Sequence, residues 1–192
     1  RRRHHSLRAR LREADGTCIV AEMKKASPSA GLLRPDYRPG AIAEGYAAAG
    51  ACGVSVLSEP RHFLGAESHV REVRSRVALP ILRKDFMCDP YQVIEAAAWG
   101  ADVILLIVAA LEAEAMRELY AAAVDYGLEV LVESHTAGEI ERALALEDAV
   151  IGVNSRNLKT LQTDLAVARE LSRAMPSDRL CIAESGIRQR HE

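Results

Sequence analysis

Residues 89–108 read DPYQVIEAAAWGADVILLIV. Asp89 before Pro90 is a helix start: a side-chain oxygen to accept the first free N–H groups, then a proline whose fixed φ suits the first turn. The Ala-rich stretch 90–99 keeps a helical period and stops at Gly100, where a left-handed residue is wanted. Two residues later the chain becomes Asp102-Val-Ile-Leu-Leu-Ile-Val108, apolar without alternation. Such a strand is covered on both faces, as in the parallel sheets of α/β proteins.

The same unit recurs on both sides. Strand-like runs occupy 18–24 (CIVAEMK), 54–59 (VSVLSE), 80–86 (PILRKDF), 129–134 (EVLVES), 150–156 (VIGVNSR) and 180–186 (LCIAESG), and with 102–108 they make seven. Helices are predicted near 39–50, 67–76, 90–99, 111–126, 136–147 and 164–174. Thr136 and Glu139 have capping-box spacing, and Gly50 and Gly127 follow helices as Gly100 does. Repeated βα units with short connections form an open doubly wound sheet or a closed barrel. No strand runs into GxGxxG or a P-loop, so the nucleotide-binding open sheets lose support.

Composition narrows the class. A chain of 192 residues, 49% hydrophobic, holds one domain with a sizeable core, so 1–192 reads as a single domain with 1–16 as a basic tail or helix remnant. The net charge of −2 provides no field for nucleic acid or an anionic membrane. Arg1, Arg2, Arg3, Arg8, Arg10 and Arg12 precede the first acid, and read as a solvated amphipathic helix or frayed terminus. No apolar run approaches the roughly 20 residues of a membrane span. Cys18, Cys52, Cys88 and Cys181 lack metal or CxxC spacing and read as reduced thiols in or near the core of a cytoplasmic protein.

The polar residues favour the barrel. Six apolar runs end in charged or amide groups: Glu22 and Lys24, Glu59, Lys84 and Asp85, Glu133, Asn154 and Arg156, and Glu184 with Ser185. In an open sheet these would spread along an edge, whereas in a barrel they converge on the C-terminal mouth, where barrel active sites lie. Lys84 after Pro-Ile-Leu-Arg and Glu133 after Leu131-Val132 are embedded charges that need partners. Lysines bind anions and donate protons, and a glutamate among apolar residues works as acid or base near neutrality. The Ser27-Pro28-Ser29 and Ser185-Gly186 turns offer hydroxyls and N–H groups to a carboxylate or phosphate. The expected substrate is a small anion, a sugar phosphate. No histidine or cysteine cluster has metal spacing, and His135 reads as a hydrogen-bonded rim residue.

The segments Glu22-Met-Lys-Lys-Ala-Ser-Pro-Ser29, Leu82-Arg-Lys-Asp-Phe86, Gly100–Ile107, Leu131-Val-Glu-Ser-His135, Gly152-Val-Asn-Ser-Arg-Asn-Leu158 and Ala183-Glu-Ser-Gly186 resemble, in order and spacing, the motif series of indole-3-glycerol-phosphate synthases. The similarity covers residues 17–192. It implies a (β/α)8 TIM barrel, here incomplete with about seven parallel strands. It implies closure of the indole ring of 1-(2-carboxyphenylamino)-1-deoxyribulose 5-phosphate, with loss of carbon dioxide and water, using no cofactor or metal. By this resemblance Lys84 is the general acid on the ribulose carbonyl and Glu133 the acid/base of the dehydration. Lys24 contacts the substrate carboxylate or donates a proton. Glu22, Asn154 and Glu184 orient the lysines and sugar hydroxyls, Ser27 and Arg156 contact the carboxylate, Ser185 and Gly186 bind phosphate, and Phe63 packs on the anthranilate ring. The family pattern also allows fusion to, or association with, another tryptophan-pathway enzyme.

Part of that pattern is absent: an N-terminal segment with a further helix, and an eighth βα unit whose Gly-Ser turn completes the phosphate site. Ala30 stands where many members have lysine. A fragment of this kind is expected to expose two strand edges and to turn over poorly. A sister phosphate-binding barrel, such as a phosphoribosyl isomerase, and a non-catalytic truncated barrel are the alternatives.

Overall fold

The computed structural model describes residues 5–158 and 160–189. Arg1, Arg2, Arg3, His4 and His191 lie outside the described residues. Seven parallel strands form one sheet: β1 Val20–Met23, β2 Gly53–Leu57, β3 Ile81–Lys84, β4 Val103–Ile107, β5 Glu129–Ser134, β6 Val150–Asn154 and β7 Cys181–Glu184. Each pairs with its sequence neighbours, and β1 and β7 form the two ends of the order. The result is a curled, incomplete TIM barrel, as expected from the sequence. Most strands are shorter than predicted. Their polar tails, such as residues 58–59 and 85–86, leave the ladder and become the loops of the C-terminal mouth.

Helices α1 Leu7–Glu13, α2 Pro39–Ala48, α3 Glu67–Arg76, α4 Pro90–Trp99, α5 Ala113–Asp125, α6 Ala137–Leu144 and α7 Leu165–Arg173 separate or precede the strands. The start at Asp89 is a full capping box: Asp89 accepts from Tyr91 N at 2.8 Å, and the Gln92 side chain takes the Asp89 N–H at 3.0 Å. Gly50, Gly100 and Gly127 all have positive φ. After β1 a two-residue antiparallel ladder pairs Ala26–Ser27 with Gly31–Leu32, so the Ser-Pro-Ser turn is the tip of a small hairpin.

Strand period then sorts the side chains. Val54, Val56, Ile81, Ile104, Leu106, Val130, Val132 and Ile151 pack outward against the helices. Leu82, Val103, Leu105, Leu131 and Val150 fill the barrel interior together with Leu7. Two residues beyond the inner layer, on the same face, stand Lys84 above Leu82 and Glu133 above Leu131. The apolar layer is therefore the floor of the polar one.

The N-terminal segment is an amphipathic helix docked on the barrel, not a frayed terminus. Arg10 and Arg12 are exposed, but Leu7 is 1% exposed and closes the N-terminal end of the barrel. Glu129, at the start of β5, accepts from Leu7 N at 2.8 Å and Arg8 N at 3.0 Å, and the Ser6 hydroxyl also donates to it. An anion on the free N–H groups of a helix start is favourable. Cys88 is exposed rather than packed; the other three cysteines are buried or half-buried.

Candidate active site

Four strand ends supply one charge cluster. Lys84 Nζ, from β3, lies 2.9 Å from Glu184 Oε2, 3.5 Å from Glu22 Oε2 and 3.6 Å from Glu133 Oε2. Those carboxylates come from β7, β1 and β5, so the ammonium sits where the strands converge. Glu22 also pairs with Lys24, Oε1 to Nζ at 2.6 Å. Asn154, from the end of β6, donates from Nδ2 to Glu133 Oε1 at 2.9 Å, and its own Oδ1 accepts from Arg156 N at 3.0 Å. The structure thus brings Glu22, Lys24, Lys84, Glu133, Asn154 and Glu184 into one linked group.

The electrostatics are unequal. Burial disfavours the charged form of Lys84, but the three surrounding carboxylates outweigh it and raise its pKa, so the ammonium is retained. Burial pushes Glu133 up, yet contacts from His135, Lys84 and Asn154 hold its carboxyl below the usual range. Glu22 is also lowered, burial being overcome by the two lysines. Glu184 alone goes up: the negative charge of Glu133 and Glu22 adds to burial and outweighs the pull of Lys84. One cationic acid, two ionised carboxylates and one carboxyl that keeps its proton to higher pH form a set able to donate and accept protons.

Of the predicted substrate contacts, Phe63, Arg156, Ser185 and Gly186 adjoin this centre through Lys24, Asn154 and Glu184, whereas the Ser27 hydroxyl bonds within its own hairpin. Phe63 lies with its ring centroid 6.0 Å from Lys24 Nζ and 6.3 Å from the Phe86 ring. Arg156 has a buried Nε without a hydrogen-bond partner. Ser27 keeps its hydroxyl on the hairpin tip, accepting from Ala30 N at 3.2 Å. Ser185 and Gly186 both have left-handed φ, 67° and 75°. The Ser155 hydroxyl lies 3.0 Å from Glu184 O and 2.9 Å from Ser185 O, tying this turn to the end of β6. A Cβ on Gly186 would stand 2.4 Å from Thr163 Cγ2, so the turn also needs glycine for space.

Glu59 and Asp85 do not join the cluster. Glu59 accepts three backbone N–H groups, from Arg61 at 2.9 Å, His62 at 2.6 Å and Phe63 at 3.1 Å, and so shapes the loop that carries Phe63. Asp85 faces outward with Arg83, which is 3% exposed, 3.7 Å from the Trp99 ring centroid and 3.1 Å from Asp85 Oδ2.

The sequence profile described as "Indole-3-glycerol phosphate synthase" matches residues 1–192. The chain belongs to the indole-3-glycerol phosphate synthase family. A synthase of that name from Rhodospirillum rubrum is 50% identical over 184 residues, which is 95% of this chain and 70% of that protein. One from Azospirillum brasilense is 49% identical over 183 residues, 94% of this chain and 70% of that protein. Among solved structures, an N-acetylmannosamine-6-phosphate 2-epimerase from Clostridium perfringens aligns with TM-score 0.71 at 15% identity, over all of this chain and 84% of that one. A structure titled "Native KDPGal structure" aligns with TM-score 0.57 at 18% identity, over 91% of this chain and 75% of that one. These likenesses support the fold alone.

In this chain of the synthase family, three further residues adjoin the site that the residue patterns did not assign to it. Gly152 lies under Glu184: a Cβ there would stand 2.2 Å from Glu184 Oε1. Phe86, 51% exposed beside Phe63, offers a second aromatic edge. Glu139 holds His135, and its i,i+4 spacing on the sequence was the available signal.

Proposed function

We propose that this chain closes the indole ring of 1-(2-carboxyphenylamino)-1-deoxyribulose 5-phosphate, with Lys84 as the general acid. The observation that supports this most is the Lys84 ammonium, held charged among three carboxylates at the C-terminal mouth. When the aryl carbon attacks the ribulose carbonyl, negative charge grows on that oxygen. A fixed ammonium stabilises the charge and delivers a proton, an effect worth roughly 10²–10⁴-fold. Glu133 takes and returns the proton of the dehydration, and Glu184 and Glu22 aim the ammonium. Asn154 fixes the Glu133 carboxylate. Lys24, Arg156 and Ser27 receive the substrate carboxylate, Phe63 the aryl ring, and Ser185 with Gly186 the phosphate. The closure needs the two carbons held in contact; the bond to the carboxylate then breaks and its electron pair restores aromaticity, so that step asks little more of the protein.

The four free cysteines suit a reducing cytoplasm, and no helix among the described residues is long and apolar enough to cross a membrane. A fluorescence assay for indole-3-glycerol phosphate tests the proposal on this chain and on one carrying an eighth βα unit. Turnover in either, abolished by Lys84→Ala, supports it. Two folded but inactive proteins would overturn it in favour of a sister barrel or a non-catalytic role.

A further inference from the structure

The roles above use one oxygen of Glu133, Oε2, which faces Lys84. The other, Oε1, accepts from Asn154 Nδ2, and His135 Nε2 lies 3.3 Å from it. On the far side of the same ring, His135 Nδ1 lies 3.3 Å from Glu139 Oε2. That carboxylate is fixed, because it also accepts the His135 backbone N–H at 2.7 Å. Thr136, the N-cap of α6, accepts from Glu139 N at 3.2 Å and so anchors the residue that bears it. Side-chain exposure rises along the series, 4% for Glu133, 11% for His135 and 19% for Glu139. The three groups form a line from the barrel interior to the rim.

We propose that His135 is a positioning residue for Glu133 and the middle link of a proton relay from Glu133 to Glu139. The inference rests on the reading of Glu133 as the acid/base of the dehydration. A proton on Glu133 Oε1 passes to His135 Nε2 while the Nδ1 proton passes to Glu139 Oε2 and on to water. The ring ends neutral in its other tautomer, no charge is stranded, and the reverse sequence recharges Glu133. Only imidazole has two nitrogens that exchange donor and acceptor roles in this way. In the resting arrangement Nε2 makes no hydrogen bond despite its 3.3 Å approach, so a small ring rotation completes the line.

The charged surroundings agree. Glu133 faces Lys84 from β3, and through it Glu184 of β7 and Glu22 of β1; His135 faces Glu133 on its own strand and Glu139 on α6. Contact with Glu133 is the main influence on His135, and with Glu139 it outweighs burial and raises the ring's pKa.

The test is an NMR titration of the His135 ring in the whole chain, assigned by the signals lost in His135→Asn. The ring should titrate above the ordinary histidine value, and its midpoint should fall in Glu133→Gln and by less in Glu139→Gln. In a pH–rate profile, His135→Asn should lower kcat about tenfold with KM within about twofold, and the limb that reports the ring should vanish. A ring that titrates at the ordinary value, unmoved by Glu133→Gln, overturns the relay whether or not the chain turns over. So does a His135→Asn profile that superimposes on the wild type. Full turnover in Glu133→Gln would instead sink the reading of Glu133 itself, and the relay with it.

Discussion

The two ends of this barrel treat their carboxylates in opposite ways. At the N-terminal end, Asp102 accepts from Arg74 Nη1 at 2.6 Å, Ile81 N at 3.0 Å and His5 N at 3.0 Å. Glu129 accepts from two backbone N–H groups and a hydroxyl at the start of α1. At the C-terminal end, Glu22, Glu133 and Glu184 share one ammonium, and Glu184 Oε1 is buried with no hydrogen-bond partner among the described residues. A fully bonded buried acid fixes the chain and has little reason to change charge. Acids crowded on one shared cation, with a buried oxygen left unbonded, are poised to exchange protons or to bind something new. The first end is built for stability and the second for chemistry.

Lys84→Ala is the severest trial of that contrast. On the proposed role, removing the ammonium leaves the carbonyl without its acid, and turnover should fall about 10³-fold or more. Circular dichroism checks that the variant folds, and a folded variant with nearly normal kcat would break the assignment of this end to chemistry. Leu7→Ala is the converse at the other end. It removes a side chain 1% exposed among Leu82, Val103, Leu105, Leu131 and Val150, and should cost about 3 kcal/mol in denaturant unfolding. Well below the melting temperature kcat should hardly move. Equal losses of stability and rate in Leu7→Ala would mean the two ends are not separable. Gly152→Ala sharpens the comparison within the polar layer, because its Cβ would meet Glu184 Oε1 and turn that carboxylate off Lys84. A loss of about 10- to 100-fold in kcat with a smaller effect on KM is the expected signature.

Much of this layout was legible in the chain. Continuous apolar runs, the Asp-Pro helix start and glycines after helices gave the strands and helices, because burial on two faces and helix termini impose local demands on sequence. The convergence of Lys84, Glu22, Glu133 and Glu184 follows from a single rule: barrel strands end at one mouth. What the strand-end pattern could not do was separate Glu133 from Asp85 and Glu59. Asp85 is adjacent to Lys84, so strand period turns it outward, to Ser58 and Arg83. That distinction was available in principle. Glu59 lies two residues beyond β2, where period no longer applies and only the loop's own path decides its partners. The docking of α1 was not legible, because Leu7 meets Glu129 across 122 residues of sequence and nothing local marks the pair.

Glu59 gives the mildest and most diagnostic case, a strand-end glutamate at the C-terminal end that behaves like the structural acids at the other. Burial raises its pKa, but bonds from the N–H groups of His62, Arg61 and Phe63 outweigh that and hold it below the usual carboxylate range. A depressed folded-state pKa means stabilisation that is present above the unfolded value and lost as pH falls through the folded one. Glu59→Gln replaces an accepting oxygen with an amide that opposes one or two of those N–H groups, and should cost about 1 kcal/mol at neutral pH. The gap between wild type and variant should start to narrow as pH falls through the ordinary glutamate value of about 4.3, where the unfolded chain protonates, and should close at the lower pH where folded Glu59 takes up its proton. Because the loop carries Phe63, KM should rise a few-fold while kcat stays nearly constant. A kcat loss as deep as that of Lys84→Ala, with KM unchanged, would move Glu59 from the loop into the reacting group and redraw the division between acids that hold the fold and acids that do the chemistry.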